Sequence, residues 1–146
     1  PLYSKGIAWR LSTDMNQLLT MHTAEGEKHV QVLPTEMKDF VVKRKDDCPA
    51  YQLCSVIDDV ANNINLIVRG KDLKNSTIAQ LYLAEELGLH SFRQTRFHHH
   101  DLLSDDSGTK LSKSAGSTSL KLLREQGMTR EAILSLMNRK LLESFV

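Results

Sequence analysis

Apolar residues recur at helical spacing in the middle of the chain, at Leu53, Val56, Ile57 and Val60, so that each has another three or four positions away. Residues with this spacing lie on one face of a helix. Pro49 suits the first turn of such a helix, because the first backbone N–H groups of a helix have no partner within it. We therefore predict a helix that begins at Pro49 and ends at the pair Asn62–Asn63.

A strand, a loop and a second helix follow. The apolar run Ile64–Val68 predicts a short strand with Arg69–Asp72 as its exit loop, and the next helical pattern ends at Gly88. A further strand is predicted over Phe97–Leu103. This order of elements indicates an α/β fold, in which ligands lie at the carboxyl ends of the strands. Arg69 occupies such a position.

The first third of the chain differs from the middle. Short apolar runs predict strands over Ile7–Leu11, His29–Leu33 and Phe40–Val42, separated by polar turns. The second of these runs alternates weakly and suits a hairpin. The polar stretch around Asn16 predicts a connecting segment between the first two strands.

Small polar residues that favour helix N-termini stand before the later helical patterns. The candidate caps are Asn75 or Ser76 for the helix that ends at Gly88, Ser117 or Thr118 for a short helix, and Thr129 for a further helix. The end of the chain is therefore predicted to be helical.

Composition restricts the class of protein. The 146 residues fit one ordinary domain, with 40% hydrophobic and 25% charged residues and a net charge of +1. Nucleic-acid binding would therefore depend on local basic patches, for which 38–45 and 110–124 are candidates, although the first is more typical of an exposed face. No run has the length of a membrane span. Cys48 and Cys54 lack zinc-ligand spacing, so we expect free thiols and a cytoplasmic location.

The segment Lys110-Leu111-Ser112-Lys113-Ser114 carries the clearest chemistry. It brings two ammonium groups and two hydroxyls together after a polar turn. Such a loop suits the phosphates of a nucleoside triphosphate, because lysine is a mobile point charge and hydroxyls add hydrogen-bond donors. By itself the segment is also typical of a solvated basic turn.

Five segments together resemble a known family. In chain order they are Tyr51-Gln52-Leu53, Val56–Asp59, Ile67–Leu73, Ser76-Thr77 with Gln80, and Lys110–Ser114. They resemble the second half of the catalytic domain of class I glutamyl-tRNA synthetases, and of the shorter relatives that glutamylate queuosine in an aspartate tRNA. The resemblance covers roughly Ile7 to Met137. It implies the C-terminal half of a Rossmann-like catalytic domain over 1–116 and a helical extension over 117–146.

The resemblance implies a glutamate site at Tyr51 and Arg69. A guanidinium matches a carboxylate with two parallel hydrogen bonds, and the tyrosine hydroxyl would contact the amino or carboxylate group. The pair Arg69-Gly70 favours glutamate over glutamine. Without the resemblance, Arg69 is also typical of a surface residue paired with Asp72, and Tyr51 of packing. One of Asp58 and Asp59 is a candidate to orient Arg69, and a structural role at the helix end is equally open.

The resemblance also implies an ATP site. It assigns ATP contacts to His99, Lys110, Ser112 and Lys113, and catalytic roles to the two lysines, which would stabilise charge on the leaving pyrophosphate. Magnesium would accompany ATP. Of the three consecutive histidines, only His98 and His100 would share a strand face, and no third ligand is evident, so we predict no metal site in the protein itself.

One departure from the family pattern is large. The His-Ile-Gly-His signature of the class, which belongs to the first half of the domain, does not occur in this sequence. We therefore expect a fragment or one part of a two-part enzyme, inactive alone, with glutamate, tRNA and a missing N-terminal half as partners. The alternative is a non-catalytic module, derived from a synthetase, that binds RNA or a partner protein.

Overall fold

The computed structural model of the protein describes residues 5–102 and 119–135. The chain divides into two compact units, Pro1–His100 and Asp101–Val146. Within the described residues, no helix combines the length and the apolar character that crossing a membrane requires. The lysine segment Lys110–Ser114 and the predicted division between 116 and 117 lie outside the described residues, so the domain assignment stays a prediction.

The first unit contains short strands and three α-helices. The strands are β1 (Trp9–Arg10), β2 (Leu19–Thr23), β3 (Lys28–Gln31), β4 (Val41–Lys43), β5 (Leu66–Gly70) and β6 (Arg96–His100). The helices are α1 (Tyr51–Ala61), α2 (Lys74–Glu86) and α3 (His90–Arg93). In the second unit, α4 (Leu120–Glu125) is followed by a helical segment over residues 130–135.

The main sheet has the strand order β3-β2-β6-β5. β2 and β3 form an antiparallel hairpin, whereas β6 lies parallel to both β2 and β5. β1 and β4 form a separate antiparallel pair. The helix α2 returns the chain from the end of β5 to the start of β6, which makes these two strands parallel. The predicted α/β class is confirmed.

The core lies between one face of this sheet and α2. Every residue from Ser76 to Ala84 is buried, so α2 is enclosed on all sides rather than on a single stripe. Leu19, Met21 and Phe97 of the sheet belong to the same buried cluster, and so does Val56 of α1. The polar side chains Thr77 and Gln80 are completely buried within this apolar layer.

Several predicted elements are confirmed with shifted boundaries. α1 ends one residue before Asn62, but it begins at Tyr51, so Pro49 precedes the helix instead of forming its first turn. Pro49 instead makes an isolated bridge with Lys43 at the end of β4. β5 extends through Gly70, which places Arg69 within the strand and not in the exit loop.

The strand β2 was missed by the sequence prediction. Its alternation of buried Leu19, Met21 and Thr23 with the more exposed Thr20 and His22 is short. No element was predicted for this run, although its apolar and polar residues alternate as in a half-buried strand. The pairing with both β3 and β6 stabilises it, and such pairing depends on residues distant in sequence.

The caps were predicted correctly only in part. Leu73 is the N-cap of α2 and makes no side-chain bond, while the hydroxyl of Ser76 accepts a hydrogen bond from Gln52 Nε2 at 3.2 Å. Ser119 caps α4, because its hydroxyl accepts a hydrogen bond from Leu122 N at 3.1 Å. The predicted caps, Ser117 and Thr118, precede it by two residues and one residue. Thr129 accepts from Ala132 N at 3.2 Å, as predicted.

The fully buried Ile78 of α2 provides a test of this core. Ile78→Val should lower the free energy of unfolding by about 0.5–1.5 kcal/mol and Ile78→Ala by about 2–5 kcal/mol, because each leaves a cavity between helix and sheet. Urea unfolding measures both values. Val68→Ala is the matched control, since Val68 is 60% exposed, and should cost less than about 1 kcal/mol. Equal losses at the two positions would contradict the described packing.

Candidate functional site

Arg69 lies near the carboxyl end of β5, with its guanidinium directed into the layer between the sheet and α2. Its Nη2 donates a hydrogen bond to Gln80 Oε1 of α2 at 2.8 Å. Its Cζ lies 5.3 Å from the centroid of the Phe97 ring on the neighbouring strand. A hydrogen bond and a cation–π contact thus fix the guanidinium from two directions.

The guanidinium is partly desolvated and incompletely bonded. Burial lowers the pKa of Arg69, while the neighbouring Tyr51 hydroxyl and the charge of Asp59 act in the opposite direction. An arginine nevertheless stays protonated in a protein. Among the described residues, the buried Nε of Arg69 and Nε2 of Gln80 have no hydrogen-bond partner. Buried donors are normally paired, so these two atoms carry an uncompensated desolvation cost.

Two residues of α1 border the guanidinium. Tyr51, the first residue of this helix, is 54% exposed and lies close enough to Arg69 to raise the pKa of the guanidinium. Asp59 lies about two helical turns further along, on the same side of the helix. Burial raises the pKa of the Asp59 carboxyl, while the charge of Arg69 acts in the opposite direction. The site therefore combines one fixed cation, a phenol hydroxyl and a partly buried carboxyl group.

His99 lies beside Arg69 on the neighbouring strand, because the two residues are paired in the register of β5 and β6. Its ring stacks on that of Phe97 with 6.3 Å between centroids. Burial, and then the positive charges of Arg69 and Lys74, lower the pKa of His99 to about 4. The imidazole is therefore neutral at pH 7.

A hydrogen bond to Thr77 determines which ring nitrogen of His99 carries the proton. Thr77 Oγ1 lies 2.7 Å from His99 Nε2 and also donates to Leu73 O at 3.1 Å. Because a hydroxyl has a single proton, His99 Nε2 must be the donor in the first bond. Nδ1 of the neutral ring is then left with a lone pair, which can accept a hydrogen bond.

Three of the residues predicted from sequence lie close together. Tyr51 is near enough to raise the pKa of Arg69, and His99 is the cross-strand neighbour of Arg69. Lys110, Ser112 and Lys113, which complete the predicted site, lie outside the described residues. The geometry thus unites residues from α1, β5 and β6 at one end of the parallel strands.

Sequence reasoning gave no role to Thr77 and Gln80, which hold His99 and Arg69 in place. A signal for them existed. They are polar residues three positions apart on a helix that is otherwise apolar at its centre, so they share a face. A pair of this kind is costly to bury unless both members find hydrogen-bond partners.

Known proteins match this chain in sequence. The family described as tRNA synthetases class I (E and Q), catalytic domain, matches residues 4–143. A glutamate–tRNA ligase 2 of Syntrophus aciditrophicus is 35% identical over 127 residues, which are 87% of this chain and 25% of that protein. A glutamyl-Q tRNA(Asp) synthetase of Burkholderia mallei is 47% identical over 90 residues, which are 62% of this chain and 29% of that protein.

Solved structures agree with these sequence matches. The crystal structure of a glutamate-tRNA synthetase from Elizabethkingia anophelis superposes with a TM-score of 0.57 and 25% sequence identity, covering 73% of this chain and 21% of that chain. The chain thus spans 21–29% of the length of these relatives. Since the family match covers residues 4–143 of 146, the chain belongs to the catalytic-domain family of the class I tRNA synthetases for glutamate and glutamine.

Proposed function

We propose that this chain is the glutamate-binding part of a glutamyl-tRNA synthetase, which activates glutamate with ATP and transfers it to tRNA. One observation carries the proposal: the guanidinium of Arg69 is partly buried near a strand end and is fixed there by Gln80 and the Phe97 ring. A carboxylate is the ligand that best matches such a group, because it accepts two parallel charge-assisted hydrogen bonds.

The two chemical steps need positioning more than acid–base catalysis. A carboxylate of glutamate attacks the α-phosphorus of ATP, which forms an acyl-adenylate and releases pyrophosphate. A hydroxyl group of the RNA then attacks the acyl carbon and releases AMP. The attacking carboxylate is already ionised at neutral pH. Arg69 would hold glutamate by its other carboxylate, and the hydroxyl of the exposed Tyr51 would orient the amino acid.

ATP would lie beside the glutamate. We assign to it the neutral His99, whose Nδ1 is an acceptor, together with Lys110, Ser112 and Lys113 of the lysine segment. The two ammonium groups would stabilise the negative charge that develops on the leaving pyrophosphate. Mg²⁺ would arrive on the phosphates of ATP. The described residues contain no group of three potential metal ligands, and we assign no step to the ion.

The identity of the RNA has two candidates. The glutamyl-Q tRNA(Asp) synthetase of Burkholderia mallei is 47% identical over its matched segment, against 35% over a longer segment for the glutamate–tRNA ligase of Syntrophus aciditrophicus. The higher identity to the glutamyl-Q tRNA(Asp) synthetase makes queuosine in an aspartate tRNA a second candidate acceptor. Glutamylation of a tRNA(Asp) that contains queuosine, compared with a tRNA(Glu), separates the two candidates.

We further propose that other parts of the active site lie outside these 146 residues, including the histidine signature of the class. The relatives are roughly three to four times longer than the matched segments, which supports this proposal. The chain alone should then fail to catalyse pyrophosphate exchange that depends on glutamate, while it retains glutamate binding. Exchange by the purified chain would contradict this division of the site.

Replacement of Arg69 tests the glutamate site. Arg69→Gln should weaken glutamate binding by roughly 10- to 150-fold, because a charge-assisted hydrogen bond contributes about 1.5–3 kcal/mol. Ligand-detected NMR titration with glutamate, and with glutamine as the competing amino acid, measures the affinity. We expect the unmodified chain to prefer glutamate.

The matched control is Arg44→Gln, which also removes one guanidinium. Arg44 is exposed and pairs with Asp46 on the surface. It should leave glutamate binding unchanged. If both variants lost glutamate affinity to a similar extent, the effect of Arg69 would come from the overall charge of the chain. If Arg69→Gln bound glutamate normally, the result would favour the non-catalytic module.

The lowered pKa of His99 predicts how stability depends on pH. The pKa is about 4 in the folded chain and ~6.5 when unfolded, so protons bind preferentially to the unfolded state between these values. The contribution of His99 to stability is complete above pH ~6.5 and is lost as the pH falls toward 4. Urea unfolding at several pH values should show a shallower fall for His99→Gln. The lowered carboxyl pKa values of Glu25 and Asp39 act in both proteins alike. Parallel curves would show that His99 titrates normally.

A further inference from the structure

A row of three basic side chains crosses the face of the sheet opposite to Arg69. Lys28 of β3 is paired with His22 of β2, and His22 is paired in turn with Arg96 of β6. Paired residues on neighbouring strands project from the same face and stand roughly 5 Å apart, so the row is about 10 Å long. Lys28 and Arg96 are exposed, and His22 is half-buried.

This row is separate from the proposed glutamate site. Successive residues of a strand point to opposite faces, and Phe97 and His99 of β6 belong to the face that contacts α2. Arg96 therefore points away from Arg69. It also stands at the start of β6, whereas His99 lies three residues further on, or about 10 Å along the strand.

The row contains two cations, Lys28 and Arg96, with His22 between them. Within residues 5–102, no acidic side chain pairs with Lys28, His22 or Arg96. The next residue of β6 on this face differs, since Nδ1 of His98 lies 2.9 Å from Glu25. Glu25 thus gives His98 a carboxylate partner, whereas Lys28 and Arg96 have no acidic partner within residues 5–102 and can bind an external anion.

A cavity of about 430 Å³ adjoins the row. β2 pairs with β6 only through His22 and Thr23, because β6 begins at Arg96, and an opening lies beside the first residues of β2. His22, Lys28 and Gln94 line this opening and present hydrogen-bond donors. Its acidic member, Glu85, is already neutralised by Arg93, whose Nε lies 2.6 Å from the carboxylate. The opening therefore has a positive rim.

We propose that this row binds the sugar-phosphate backbone of RNA. A lysine, an imidazole and a guanidinium at regular spacing match successive phosphate oxygens, and both cations are exposed enough to reach them. The choice of RNA over another anion rests on the proposed function, in which the substrate is a tRNA. The row would position RNA without reading its bases, because phosphate contacts carry no sequence information.

The experiment is fluorescence anisotropy with a labelled RNA hairpin that has a single-stranded 3′ end. Lys28→Thr/Arg96→Thr, which keeps strand-forming side chains, should weaken binding about tenfold at low salt. The fall of log affinity with log salt should also become less steep, by about 1.4–1.8, because two phosphate contacts are lost. The exchange Lys28→Arg/Arg96→Lys should retain the affinity of the unmodified chain.

The matched control is Lys38→Thr/Lys45→Thr, which removes two exposed cations from the basic stretch 38–45. It should leave affinity and slope almost unchanged. Equal losses in the two double variants, or no RNA binding by the unmodified chain, would overturn the proposal. Displacement of RNA by inorganic pyrophosphate at constant ionic strength would assign the row to free phosphate and overturn the RNA assignment.

Glutamate titration of the same variants separates this proposal from the proposed function. The row lies on the opposite face from Arg69, so Lys28→Thr/Arg96→Thr should bind glutamate normally. If Lys28→Thr/Arg96→Thr bound both glutamate and RNA normally, the proposal for the row would be wrong, and the proposed glutamate site would be unaffected. Circular dichroism of each variant confirms that the losses do not come from unfolding.

Discussion

The hydrogen bond between Arg69 and Gln80 is the contact on which the site depends. Placing a guanidinium in a layer of apolar side chains is unfavourable unless its donors and its charge are compensated. Gln80 accepts a hydrogen bond from one donor at 2.8 Å, and the Phe97 ring lies beneath the charge. The buried Nε has no partner among the described residues, so the compensation is incomplete.

The helix α2 makes this compensation possible because it is buried on every side. An exposed helix would let Gln80 and Thr77 bond to water, whereas here each must find a partner within the protein. The partners are two neighbouring residues of the sheet, Arg69 and His99, which the parallel register of β5 and β6 sets side by side. A single pair of polar residues on one helix therefore orients both functional side chains.

The period of two along a strand gives the sheet two chemically different faces. One face carries Phe97 and His99 toward α2, with a neutral imidazole and a fixed guanidinium. The other carries Lys28, His22 and Arg96 toward solvent without acidic partners among the described residues. Under our two proposals, the amino acid and the RNA backbone would contact opposite faces of the same strands.

The sequence by itself determined the α/β order, the extent of α1 and the strand β5 to within two residues, the strand β6 to within three residues, and the family. These features depend on residues close together in the chain, and their periodicity and order can be recognised without knowledge of the fold. Tertiary structure alone decided that Leu19–Thr23 is a strand, that Leu73 rather than a polar residue begins α2, and that Lys28, His22 and Arg96 form a row. It also decided that Thr77 and Gln80 hold the site. The physical reason is the same in each case: strand pairing, register and the partners of buried polar groups are contacts between distant segments, and no local pattern records which segments meet.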